Sequence, residues 1–174
     1  VFFGVLALYL SRLPPVLAPW RDSGEMSVAA VALGVAHPTS YPLYVLLARI
    51  ASLCPLGNAA YRLNLLSAVA GAAACALLFS VIRPKRGALA GLAAAACLAL
   101  NPSFWAVSQV SEMYSLWILG AVALIALSER LSTDATERLW PAFCYLCGAS
   151  LANRLDLILL APGIVWLALA RRPL

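Results

Sequence analysis

The stretch AAYRLNLLSAVAGAAACALLFSVI, residues 59–82, followed at once by Arg83-Pro84-Lys85-Arg86-Gly87, decides the fold. As an α-helix its 24 residues extend about 36 Å, enough to cross the hydrocarbon core of a bilayer. Asn58 is suited to cap its first turn. Asn64, Ser67, Gly71 and Cys75 recur at i, i+3, i+7 and i+11, a stripe of small and polar residues that lets another helix approach closely. A tight basic cluster between two apolar runs belongs in the cytoplasm by the positive-inside rule, and that assignment orients the rest of the chain.

Composition agrees with this reading. The 174 residues are 64% apolar, with mean hydropathy +0.92, against about 45–50% apolar for a soluble domain, so the chain reads as an integral membrane protein. The net charge of +5 comes from basic residues that border apolar runs, which membrane topology explains without nucleic acid. Of the five cysteines, only Cys144 and Cys147 have C-x-x-C spacing, with no second pair and no histidine near, so they read as packing residues and no metal is expected. The sequence opens at Val1 inside an apolar run and stops as abruptly at Leu174, and the chain is expected to be one transmembrane domain, the N-terminal part of a longer protein.

Val1 to Val16 reads as a first membrane helix leaving the bilayer at Pro14-Pro15 and Pro19, with Arg12 snorkelling to the interface. Residues 20–57 then form an outer loop of two short interfacial helices. Asp22 and Glu25 have the spacing of a capping box, and the first helix runs from Met26 to Val35, closing near Gly34. His37 and Tyr41 each precede a proline, which makes 36–42 a stiff extended loop before a helix from Leu43 to Leu53. A third spanning helix covers Gly87 to Leu100, an outer loop from Asn101-Pro102 reaches Glu112, and a fourth helix runs from about Met113 to Ser128 into a charged turn at 129–138. Trp140 to Ala152 and Leu157 to Ala170, 13 and 14 residues, are short for spanning helices and flank Asn153-Arg154-Leu155-Asp156. The pair is expected to be broken or re-entrant, with Arg171-Arg172 favouring a return to the side of Arg138. The predicted class is all-α and polytopic, with about four spans plus this pair.

Asp22-Ser23-Gly24-Glu25, Leu33 to Pro38, Tyr41-Pro42-Leu43-Tyr44, Asn64-Leu65-Leu66-Ser67 and Ser111 to Leu116 together resemble the domain-of-unknown-function 2723 family of protein O-mannosyltransferase-like membrane proteins. The likeness runs in order across about residues 1–170, and its His-Pro and Tyr-Pro-Leu-Tyr block is the specific part. That family is similar to the type C glycosyltransferases, which take a sugar from a polyprenyl or dolichyl phosphate on the non-cytoplasmic face. The resemblance implies a catalytic carboxylate in the first outer loop, at Asp22 or Glu25, and no cofactor beyond the lipid-phosphate-linked sugar donor. Two departures stand out: Thr39-Ser40 replaces the family's Pro-Gly, and Arg154 occupies a position where the family carries histidine.

Displacement at an anomeric carbon needs a base for the acceptor hydroxyl and cations or donors for the leaving phosphate. Asp22 is the preferred base, with Glu25 orienting the acceptor or taking that role itself. The competing reading makes both residues a helix cap alone, worth about 1 kcal/mol. His37 and Tyr41 are candidate contacts to phosphate or acceptor, and Glu112 is placed to face Asp22 across a cavity. Arg62 and Arg154 are candidate phosphate partners because the guanidinium fork matches phosphate oxygens. Membrane lipid, a lipid-linked sugar and an acceptor protein, lipid or glycan are the expected partners, with the active loop facing the periplasm, the extracellular side or the endoplasmic-reticulum lumen. The alternatives are a transporter or flippase of lipid-linked sugars, which should carry its polar site at the midplane, or a non-catalytic assembly subunit.

Overall fold

The computed structural model describes residues 1–132 and 138–169. The described residues form an all-α fold: α1 (Phe2–Leu10), α2 (Ser23–Ala32), α3 (Pro42–Ser52), α4 (Ala59–Ala99), α5 (Pro102–Val107), α6 (Tyr114–Leu131), α7 (Trp140–Asn153), a 3-10 turn (Leu155–Leu160) and α8 (Ala161–Leu169). Residues 133–137 of the predicted charged turn at 129–138, and Arg171-Arg172, lie outside the described residues, and with them the argument for a return.

The decisive stretch behaves as its pattern requires at its start. The Asn58 side chain accepts the Tyr61 N–H and caps α4, while its amide donates to the Pro15 carbonyl at 2.7 Å. The small-residue stripe is the packing seam: Asn64, Ser67, Gly71 and Cys75 are all buried. A Cβ at Gly71 would meet the Ser108 hydroxyl at 2.6 Å and the Tyr9 ring at 3.1 Å. Asn64 donates to the carbonyls of Pro14 and Val16, which satisfies backbone that the prolines leave without helical partners.

Two features differ from expectation. The helix does not end at the basic cluster; it continues through Pro84 and breaks at Gly87, whose φ of 86° and ψ of 167° only glycine adopts readily. A Cβ at Gly91 would lie 2.9 Å from the Phe79 ring and 3.2 Å from its carbonyl. Twelve residues of straight helix would separate these groups by about 18 Å, so residues 88–99 fold back along residues 59–86 as a hairpin. In addition, the predicted outer loop after Asn101 contains a short helix, α5, which Asn101 caps by accepting the Phe104 N–H.

Two helices, Ala59–Ala99 and Tyr114–Leu131, are long and apolar enough to cross a membrane, where the sequence pattern predicts four spans. The shortfall has local causes. α1 has nine residues, and beyond it the Ser11 hydroxyl turns back to the Leu8 carbonyl ahead of Pro14-Pro15. The predicted third span is the second leg of α4, only residues 88–99. The break at Asn153-Arg154 is present, with Arg154 extended at φ −154° and ψ 128°. α7 runs antiparallel to α6, since Ser150 abuts Gly120 and the Asn153 amide donates to the Met113 carbonyl at 3.3 Å.

The bundle has two chemically distinct ends. At one, Lys85 of α4 pairs with Glu129 of α6. At the other, α2 and α3 pack over the start of α4 and the α5–α6 connection, burying Met26, Tyr44, Leu63 and Met113 completely or nearly so. Residues 20–57 and 101–112 therefore meet at one end, as the topology predicted, and the polar groups gather there.

Candidate functional site

Asp22 precedes α2 as its N-cap residue, yet its side chain accepts no capping hydrogen bond. The capping box does not form. Glu25 turns the other way: Oε1 accepts the His37 backbone N–H at 2.6 Å, and Oε2 lies 2.9 Å from His37 Nδ1. The Asp22 backbone N–H, which a capping box would satisfy through Glu25, donates instead to Glu112 Oε1 at 3.1 Å. Long-range partners have replaced the local ones at the Glu25 carboxylate and at the Asp22 backbone N–H.

His37 is held on three sides. With Nδ1 donating to Glu25, Nε2 is an acceptor that the Tyr41 hydroxyl reaches at 3.1 Å, and Asp22 Oδ2 stands 3.9 Å from the same nitrogen. The Tyr41 ring packs edge-to-face on the imidazole, centroids 5.2 Å apart. The bond from His37 draws the Glu25 carboxyl below its ordinary pKa, and burial raises that of the Tyr41 phenol, keeping it a donor. Arg21, Leu33, Ser40 and Tyr41 all have positive φ without being glycine. Three of them directly flank Asp22 and the His37 loop, where backbone strain is the mark of an imposed geometry.

Glu112 lies beneath this group and is fully buried. Its backbone is fixed by Ser67, whose hydroxyl donates to the Glu112 carbonyl at 3.1 Å and accepts its N–H at 3.4 Å. Oε2 has no hydrogen-bond partner among the described residues. Burial, reinforced by the Asp22 charge, raises the carboxyl pKa to about 7 against the opposing pull of the Asp22 N–H, Arg21 and Arg154.

The structure thus brings Asp22, Glu25, His37, Tyr41 and Glu112 together. Arg154 sits at the margin: its guanidinium pairs with Asp156 and lies 4.6 Å from the Tyr114 ring centroid, and its charge is felt at Tyr41 and Glu112. Arg62 is differently employed. It donates to the carbonyls of Leu56, Ser52 and Gly57 at 2.8–2.9 Å, clamping the α3–α4 connection, and among the described residues it makes no bond to the Asp22 group. Its guanidinium N–H groups go to backbone carbonyls that no longer have helical partners, so in this arrangement the fork expected to meet phosphate is occupied by the chain itself.

Asp22, Glu25 and His37 each offer one ligand atom, all within 4.8 Å of one another, a grouping for which the sequence suggested no metal. Carboxylate and imidazole donors suit a divalent cation. Both Glu25 oxygens, however, are engaged by His37, so two of the three prospective ligands are already hydrogen-bonded to each other. Sequence reasoning also passed over Arg21 and Tyr114, although adjacency to Asp22 and to the Ser111-Glu112-Met113 block was a visible signal.

Residues 22–173 match the family described as the protein O-mannosyl-transferase TMEM260 N-terminal domain. A mouse protein named protein O-mannosyl-transferase TMEM260 is 41% identical over 91% of this chain and 23% of its own length. A Dictyostelium discoideum protein of the same name is 27% identical over 84% of this chain and 20% of its own length. The chain therefore spans less than a quarter of each of these relatives. No solved structure gives a significant match.

Proposed function

The chain belongs to the TMEM260 N-terminal domain family, and on that premise we propose that it carries the acceptor-activating loop of an integral membrane glycosyltransferase. The donor is a sugar on polyprenyl or dolichyl phosphate, mannose in keeping with the names of the relatives. The acceptor is a protein hydroxyl on the non-cytoplasmic side. In the transfer, the acceptor oxygen bonds to the anomeric carbon while the bond from that carbon to the phosphate oxygen breaks. The electron pair leaves with the lipid phosphate, and the hydroxyl proton passes to the Asp22 carboxylate.

One observation carries the choice of base. Glu25 spends both oxygens on His37, whereas among the described residues the Asp22 carboxylate has no hydrogen bond and stands 3.9 Å from His37 Nε2, the nitrogen that the Tyr41 hydroxyl reaches. Glu25 is then the orienting residue: it fixes the His37 tautomer so that Nε2 faces Asp22 and Tyr41. His37 and Tyr41 align the acceptor, and Glu112 holds the backbone at Asp22.

Transfer of labelled mannose from dolichyl phosphate by the full-length membrane protein tests the assignment. Asp22→Asn should lower transfer by about 10²-fold or more, the usual contribution of a general base, while Glu25→Gln retains a measurable fraction. Full activity in Asp22→Asn with loss in Glu25→Gln would exchange the two roles.

A further inference from the structure

Beside Asp22 the chain presents a cation that forms no direct ion pair among the described residues, although its charge is felt at Glu112. Arg21 is exposed, held at φ 60°, and its guanidinium lies 5.4 Å from the Trp20 ring centroid and 5.8 Å from that of Tyr114. No ion pair engages it among the described residues, in contrast to Arg154 on the same tyrosine, which Asp156 neutralises. Rings hold an arginine in place while leaving its N–H fork available.

Arg21 also stands at the edge of an open groove of about 610 Å³. The remaining wall comes from the second leg of α4 (Cys97, Leu98), from α5 (Phe104, Val107) and from the first turns of α6 (Tyr114, Trp117), and is mostly apolar. An apolar channel with one unneutralised guanidinium at its edge is complementary to an amphiphile with a hydrocarbon chain and a single anionic head.

We propose that this groove binds the lipid-phosphate portion of the sugar donor, with Arg21 holding the phosphate and the α4–α5–α6 wall covering the start of the hydrocarbon chain. The inference rests on the glycosyl-transfer reading and deepens it. Bulk phospholipid shares the phosphate chemistry, but position favours the donor. Arg21 and Asp22 are consecutive, about 3.8 Å apart at Cα, and in a glycosyl phosphate the anomeric carbon is joined to the phosphate through one oxygen. A phosphate at Arg21 therefore brings that carbon within reach of the Asp22 carboxylate, a proximity that a structural lipid would have no use for. During transfer the same guanidinium meets the charge that builds on the departing phosphate.

Cys97 is exposed and lines the groove, which supplies a readout independent of turnover. The full-length protein, in nanodiscs of phosphatidylcholine, is treated with a small thiol reagent, and modification of Cys97 is followed by peptide mass spectrometry. Cys144, exposed and outside the groove lining, is the internal reference. Dolichyl phosphate should slow Cys97 modification at least fivefold and leave Cys144 unchanged. The protection should disappear in Arg21→Ala, be retained in Arg21→Lys at higher ligand concentration, and be matched neither by dolichol without phosphate nor by phosphatidylglycerol. Unchanged protection in Arg21→Ala, equal protection by phosphatidylglycerol, or no protection at all would overturn the proposal. Asp22→Asn separates the two readings: protection retained with transfer abolished supports both. Loss of transfer in Asp22→Asn together with failed protection in the native protein rejects the groove and leaves the base assignment standing.

Discussion

Replacing Glu112 by glutamine should flatten the pH dependence of stability. Glu112 is fully buried, its Oε1 accepts the Asp22 N–H, and its Oε2 has no partner, so ionisation places a charge among groups that do not fully compensate it. The facing charges are Asp22, Arg21 and Arg154, and the net result is a pKa of about 7 in place of 4.5. A carboxyl whose pKa is raised on folding contributes full stability below 4.5 and loses it as pH climbs to about 7. The shift corresponds to about 3 kcal/mol at 1.36 kcal/mol per pH unit. Glutamine keeps the acceptor for the Asp22 N–H and, like the protonated acid, presents an unpaired donor at the other position. The variant should therefore resemble the native protein at pH 4.5 and exceed it by about 3 kcal/mol at pH 8. Thermal unfolding of the detergent-solubilised full-length protein, native and Glu112→Gln, across that range is the assay. The difference between the two profiles isolates this residue from other titrating groups. Parallel profiles would refute the argument, because a carboxyl with an ordinary pKa contributes no such slope.

Gly71→Ala should destabilise the bundle by about 1–3 kcal/mol, since the new methyl meets the Ser108 hydroxyl at 2.6 Å and the Tyr9 ring at 3.1 Å, and thermal unfolding would register it. Arg62→Ala, which strips the donors from three carbonyls of the α3–α4 connection, should cost about 2 kcal/mol while leaving the KM for the lipid-phosphate donor unchanged; a raised KM would return Arg62 to the binding site. Chelation should leave transfer intact, because both Glu25 oxygens are committed to His37. Activity lost to a chelator and restored by a divalent cation would make Asp22, Glu25 and His37 metal ligands instead.

The sequence carried much of the architecture because the forces involved are local or periodic. Asn58 as a cap, Asn64 to Cys75 as a packing seam, the break at Arg154 and the helices on either side of His37 follow from hydrogen bonding and spacing within a turn or two of helix. Sequence pattern ended the helix at Ile82, ahead of the basic cluster of Arg83 to Gly87, because the apolar run stops there, whereas the break falls at Gly87. It also extended α1 through to Val16, since apolar content alone cannot reveal the turn at Ser11.

The carboxylates mark the boundary most clearly. Their spacing in the sequence, Asp22 to Glu25, defines a capping box and leaves cap and catalyst equally open. Tertiary structure removes the capping box by supplying other partners: His37 for the Glu25 carboxylate, twelve residues away, and Glu112 for the Asp22 backbone N–H, ninety residues away. What the sequence by itself determined is that an apolar helical chain places Asp22, Glu25 and its single histidine within sixteen positions of one loop, because hydrophobicity and helix periodicity are properties of each segment alone. Which groups pair was decided only when the His37 loop closed on Glu25 and the α5–α6 connection met the start of α2, because hydrogen-bond partners are chosen by proximity in space.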